Sequence, residues 1–214
     1  VLQGLFEKYQ FSGTIYQVYK LDNGNWVMNY TCGFAYAYAP FFFIAHAWAL
    51  LGGYPADGFS FPYQFCISNG VMLYIVAGVF ILRKVLLHFL SDKVTFITMF
   101  FMVLATNYFH ETINDELQPH AMLFTLYALV LWLTIRWHEK PSRKTAIALA
   151  AAMAWGILSR PSEILMLIIP ALWNVYDKAP LLAEWQLMRK NSTHLVWMFL
   201  TAVIVVLPQM ICGK

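Results

Sequence analysis

Residues 107–144 read NYFHETINDELQPHAMLFTLYALVLWLTIRWHEKPSRK. The first part holds Glu111, Asp115 and Glu116 and no Lys or Arg. An apolar run without formal charge follows, His120–Ile135, and the stretch ends in Arg136, Lys140, Arg143 and Lys144. An acidic gap, an apolar helix and a basic gap in that order give the signature of a membrane crossing, because short loops rich in Lys and Arg stay on the cytoplasmic side. The pattern extends outward. Ten of the fourteen basic residues fall in Arg83–Lys93, Arg136–Lys144 and Lys178–Lys190, whereas Gly52–Pro62 and Asn107–Pro119 hold none.

Composition agrees with a polytopic membrane protein. The chain is 60% hydrophobic and 12% charged, with mean hydropathy +0.59; in globular proteins about a quarter of residues are charged. Net charge is +3 and pI near 8.7. Nucleic acid is excluded as the reason, because the basic residues border apolar runs and form no basic face studded with aromatics. Membrane lipids are the expected partner of these charges, through the anionic cytoplasmic leaflet. The chain starts at Val1 with nothing that reads as a signal peptide, and ends just after an apolar run. We expect a fragment of a longer protein, truncated at both ends.

The expected fold is all-α, a polytopic bundle with about six transmembrane helices. These are predicted at Tyr63–Leu82, Val94–Phe109, His120–Ile135, Thr145–Leu158, Glu163–Tyr176 and His194–Ile211. The fourth and fifth are short against the roughly 20 residues that a span needs. They form a hairpin turning at Ser159–Ser162, where Pro161 suits a helix start. The basic gaps at 83–93, 136–144 and 178–193 are cytoplasmic; 53–62, 110–119, 159–162 and the C-terminus are exoplasmic. Leu181–Met188 reads as a short amphipathic helix on the cytoplasmic surface. Residues 1–29 are mixed in character, with a turn signal at Leu21–Asn25. Cys32–Leu51 is twenty residues without formal charge; its length permits a span, and its aromatic content permits an interfacial helix.

The loop His110–His120 is the densest ionisable cluster, with three carboxylates and two imidazoles in eleven positions. Such a cluster can supply a general base, hold a sugar hydroxyl or bind a divalent cation; it can also be only a solvated loop. Asp115, Glu116 and His120 stand at the start of a helix, where negative charge is favoured in any case. Arg160 is the only basic residue in an exoplasmic gap of the helical region. An Arg in the apolar layer costs about 2.5–3.5 kcal/mol and tends to have a partner. A phosphate, bound bidentately, is one candidate; a salt bridge, for example to Glu163, and simple snorkelling are the others. Asp57, among Pro55 and Gly58, reads as a turn residue. His46 reads as a packed histidine, and Cys32, Cys66 and Cys212 as small hydrophobes. There is no Walker, GxSxG or HExxH motif and no CxxC.

Several stretches resemble a family. Asn29-Tyr30 through Pro40-Phe41-Phe42, Ala45-His46 and Gly53–Gly58 look like the first exoplasmic loop of bacterial GT-C glycosyltransferases, nearest to the dolichyl-phosphate-mannose-protein mannosyltransferase-like membrane proteins. Asn107-Tyr108 to His120 is similar to their second exoplasmic loop, with Asp115 five positions before His120. Leu158–Ser162 looks like their Arg-Pro turn, and Leu207-Pro208-Gln209 also fits. The resemblance implies sugar transfer from a polyprenyl-phosphate carrier to an acceptor at the exoplasmic (periplasmic) face of the bacterial inner membrane. It implies Asp115, Glu116 and His120 as catalytic residues and Arg160, Asp57 and Glu111 as substrate-binding ones, with a divalent cation as an optional cofactor. The family's principal catalytic Asp follows its first transmembrane helix, and no matching segment is present. Residues 1–62 then form an exoplasmic loop with juxtamembrane helices, including Cys32–Leu51, and 63–214 the membrane bundle. A transporter, a lipid-carrier flippase or a non-catalytic membrane subunit is the alternative on the same hydrophobic frame.

Overall fold

The computed structural model describes residues 18–20, 26–28, 31–114 and 119–212. The chain forms two units, Val1–Thr31 and Cys32–Lys214. In the first, strands β1 (Val18–Lys20) and β2 (Trp26–Met28) pair antiparallel, with Tyr19 opposite Val27. The turn signal at Leu21–Asn25 falls between them but outside the described residues. The second unit is helical: α1 (Gly33–Gly52), α2 (Phe61–Phe89), α3 (Asp92–Leu104), α4 (Asn107–Asn114), α5 (Pro119–Glu139), α6 (Arg143–Ser159), a 3-10 segment at Pro161–Leu167 continued by α7 (Ile168–Ala171), α8 (Lys178–Lys190) and α9 (Ser192–Cys212).

The 29-residue α2 is the mast of this unit. Its first half pairs with α1 and its second half with α5. The Tyr74 hydroxyl donates to the Ala37 carbonyl at 3.1 Å, and Tyr63 meets His46 and packs with Ala45 and Ala49. Further along, Thr125 Oγ1 donates to the Tyr74 carbonyl at 2.8 Å, and Lys84 lies over the Trp132 ring. A methyl on Gly78 would overlap Thr125, so glycine is what lets α2 and α5 approach this closely. Ala121, Val71 and Ile75 close the shared core.

Contacts between the helices define two ends of the bundle, and of the six expected spans only α2, α5 and α9 are long and apolar enough to cross a membrane. Arg83 bonds Asp92 at 2.6 Å where α2 turns into α3, and His88 lies 3.6 Å from Glu139 where α2 meets the end of α5. Arg143, at the start of α6, stacks over Trp197 of α9. These contacts collect at the basic end. At the other end lie the first turn of α5 and the last turns of α6 and α9. The expected uniform spans need correction, however. By length and composition α1, α2, α5 and α9 are long and apolar enough to cross a membrane. The expected span Val94–Phe109 breaks into α3 and α4 at Thr106, whose hydroxyl bonds the Met102 carbonyl at 2.5 Å and receives Tyr108 N–H at 3.2 Å. A threonine side chain thus replaces helical backbone bonds. The expected helix Glu163–Tyr176 is instead the 3-10 segment and the four-residue α7. Pro170 lacks the N–H that α-helical pairing with Met166 requires, and Asn174, at φ 58°, follows α7. The segment still runs the length of α5 from Tyr127 to His138, because a 3-10 helix rises about 2.0 Å per residue against about 1.5 Å.

Burial follows the same logic. On α5, Ala121, Leu126, Val130 and Ile135 are buried, and α6 buries Ala146, Leu149, Ala150 and Met153. By contrast Phe43, Ile44 and Leu51 of α1, Phe96 and Phe101 of α3, and Phe199 and Ile204 of α9 are exposed. Apolar helices with apolar outer faces have acyl chains as their solvent.

Candidate functional site

Arg160 owes its position to its neighbours in sequence. Pro161 forbids helical backbone in the residue before it, so α6 stops at Ser159 and Arg160 is extended, at φ −146° and ψ 120°. Its amide still bonds the Gly156 carbonyl at 2.9 Å, and its carbonyl receives Glu163 N–H at 2.9 Å. The guanidinium therefore projects from a turn pinned on both sides.

Three helix ends meet around that turn. Trp155 Nε1 donates to the Gly33 carbonyl at 2.8 Å, and a methyl on Gly33 would overlap Ser159. Gln209 of α9 accepts the Cys32 amide through Oε1 at 2.8 Å. The first turn of α1, the last of α6 and the last of α9 are thus bound together.

The alternative partner for Arg160 is occupied elsewhere. Glu163 Oε2 accepts the Tyr127 hydroxyl at 2.5 Å, and its Oε1 receives Ser162 Oγ at 3.4 Å. No carboxylate among the described residues forms an ion pair with Arg160, which is half-buried. The guanidinium is nonetheless within Coulombic reach of Tyr127. A fixed, half-buried cation beside a carboxylate that already holds a neutral donor has the chemistry to accept an anion.

The remaining predicted residues are placed as follows. His120 is exposed in the first turn of α5, seven residues or about 10 Å before Tyr127 along the same helix. His110 is exposed on α4, and the backbone of Glu111 lies on the same helix. Asp115 and Glu116 lie outside the described residues. Tyr108 anchors α4 to this end: its ring sits 4.4 Å from that of Phe124, and burial pushes its phenol up to about 12, so it stays protonated at neutral pH. Asp57 stands apart, in the turn between α1 and α2. Its Oδ1 accepts Phe59 N–H at 3.0 Å, and Gly58 takes φ 88°. About 30 Å of α1 separates that turn from Gly33, given 20 helical residues. Among the described residues no three of His, Cys, Asp or Glu come together as a metal cluster. His46 is packed as expected, bonded to the Tyr63 hydroxyl at 2.5 Å and stacked on Phe42.

Sequence reasoning missed Tyr127 as a member of this end, named Gln209 only through the family resemblance, and took Glu163 only as a partner for Arg160. Tyr127 has no sequence signal; it is one aromatic residue in an apolar helix. Gln209 carried a weak one, as a polar residue two places after Leu207 in an apolar run.

No curated protein matches the chain, and no solved structure does either. A family model does, over residues 37–211, from the second turn of α1 to the last turn of α9. That stretch contains the acidic loop, the Arg160 turn and every apolar helix after α1, so sequence pattern, fold and match agree: the chain belongs to the dolichyl-phosphate-mannose-protein mannosyltransferase family of membrane glycosyltransferases.

Proposed function

We propose that the end of the bundle bearing Arg160 faces the exoplasm and transfers a sugar from a polyprenyl-phosphate-linked donor to an acceptor hydroxyl. The observation that carries this reading is the Arg160 guanidinium, which has no ion-pair partner among the described residues and is fixed by Pro161 while Glu163 is held by Tyr127. Arg160 binds the donor phosphate. A carboxylate takes the proton of the acceptor hydroxyl, the acceptor oxygen forms a bond to the anomeric carbon, and the bond from that carbon to the phosphate oxygen breaks. The lipid phosphate leaves with the electron pair, and Arg160 offsets its growing charge. Asp115, Glu116 and Glu111 orient the sugar or the acceptor, and His120, at the start of α5, positions the two catalytic carboxylates. Asp57 is left to its turn. In a bacterial inner membrane the active face is periplasmic.

The test is Arg160→Ala and Arg160→Lys in the full-length protein, with transfer from a polyprenyl-phosphate sugar and detergent-solubilised stability measured together. Because Glu163 already has a partner, the Ala variant is expected to fold normally and to lose transfer, and Lys is expected to restore it only in part. Normal transfer by the Ala variant removes the phosphate role.

A further inference from the structure

We propose that α8 is a surface helix seated in the headgroup layer of the membrane at the basic end, where it binds anionic phospholipid. The inference does not rest on the transfer reaction.

The helix is turned the opposite way from a helix in water. Its carboxylate, Glu184, is 7% exposed, whereas Leu181, Leu182 and Trp185 are 47%, 63% and 64% exposed. Leu181, Trp185 and Arg189 follow at i, i+4 and i+8, so one stripe carries two large apolar residues and a cation. This is the composition of an interfacial helix, with its apolar face about 5–10 Å into the acyl boundary and its basic groups at the headgroups.

The rotation of α8 is set by one contact. Glu184 Oε1 lies 2.9 Å from His138 Nε2, and His138 Nδ1 lies 2.8 Å from the Thr134 carbonyl of its own helix. This is the only long-range hydrogen bond from a described side chain of α8. A carbonyl can only accept, so Nδ1 donates. The other nitrogen then faces the Glu184 carboxylate, so the buried pair is satisfied within itself. It acts as a polar peg that presses one face of α8 against α5 and turns the leucines outward.

Two observations select a lipid surface as occupant. The first is continuity: α8 ends at Lys190 and α9, a candidate span, starts at Ser192. The basic end of α9 therefore fixes α8 at membrane-surface depth. The second is charge. Exposed Arg136, Lys140, Arg143, Lys144, Arg189 and Lys190 surround this end, against exposed Glu139 and Asp177. A protein partner of ordinary composition would not need that excess, and an anionic leaflet attracts it at about 1 kcal/mol per basic residue.

The experiment uses the full-length protein in nanodiscs of phosphatidylcholine, with or without phosphatidylglycerol. Fluorescence of wild type minus Trp185→Phe isolates Trp185. Quenching of that signal by lipids with brominated acyl chains is expected, stronger when phosphatidylglycerol is present, with the difference abolished in Arg189→Gln/Lys190→Gln. Glu184→Ala, with helical content checked by circular dichroism, is expected to weaken the quenching. A Trp185 quenched by aqueous iodide and insensitive to brominated chains overturns the proposal, as does shielding from both, which would mean a protein cover. Equal quenching with and without phosphatidylglycerol overturns the anionic specificity.

Discussion

The two ends of this bundle each hold a carboxylate that the fold had to satisfy, and they solve the problem differently. At one end Glu163 takes the hydroxyl of Tyr127, a neutral donor, and the nearby Arg160 keeps its charge unspent. At the other, Glu184 takes the imidazole of His138, and both side chains are spent on each other. The difference teaches how to separate a site from an anchor. A half-buried cation with no ion-pair partner among the described residues has the chemistry to accept an anion from outside. A buried pair whose side chains are spent on each other has nothing left to bind, and what it contributes is docking. The residues around each end agree: the Arg160 turn is pinned by backbone bonds, whereas α8 makes one long-range side-chain hydrogen bond among the described residues and shows its apolar residues outward.

The largest expected effect is the one that would break the comparison outright. With native cysteines replaced, Cys at position 114 is expected to react with a membrane-impermeant thiol reagent in intact cells, and Cys at position 141 to be protected. Equal labelling would place the two ends on one side and undo the assignment of roles. The same method applies to α1. Reporters fused after Asn29 and after Gly58 are expected to report one side, because α1 pairs with the first half of α2 while α5 pairs with the second. Opposite sides would make α1 a span.

Next in size is the Arg160 cation. Arg160→Ala is expected to lower transfer by roughly two to three decades, about 3–4 kcal/mol of transition-state stabilisation, with little change in unfolding. The paired carboxylate should behave in the reverse manner. His138→Ala strands a buried Glu184 and is expected to cost about 3 kcal/mol of stability, measured by denaturation in detergent, while His138→Leu/Glu184→Leu recovers most of it. If the double replacement is as unstable as the single one, the peg is not a simple compensated pair.

The smallest effect sharpens the contrast from within the site. Tyr127→Phe removes the hydroxyl that occupies Glu163 and leaves that carboxylate free to turn to Arg160. The KM for donor is expected to rise roughly tenfold, about 1.4 kcal/mol, with kcat nearly unchanged. The double variant Tyr127→Phe/Glu163→Gln is expected to restore it. A fall in kcat alone would instead give Tyr127 a role in the chemistry.

What the sequence determined by itself is everything that depends on a one-dimensional pattern. Basic gaps alternating with bare ones marked the breaks between apolar segments, and three of the six expected spans, α2, α5 and α9, are long and apolar enough to cross a membrane. Pro161 placed the turn at Arg160, because proline acts on its immediate neighbour, and Pro55, Asp57 and Gly58 marked their turn for the same local reason. Helix lengths were less legible. Thr106 and the 3-10 segment Pro161–Leu167 each interrupt a run that hydropathy reads as continuous, because a change in hydrogen-bond pattern leaves mean hydropathy unchanged. Only the tertiary structure decided which charge is free. Whether Glu163 pairs with Arg160, three residues before it, or with Tyr127, thirty-six residues before it, depends on where α5 passes in space. The same holds for Glu184 and His138, forty-six residues apart, and for the burial of a carboxylate that an amphipathic reading would have turned to water. Pairing between charges is a short-range interaction between distant positions, and the chain's own pattern does not record it.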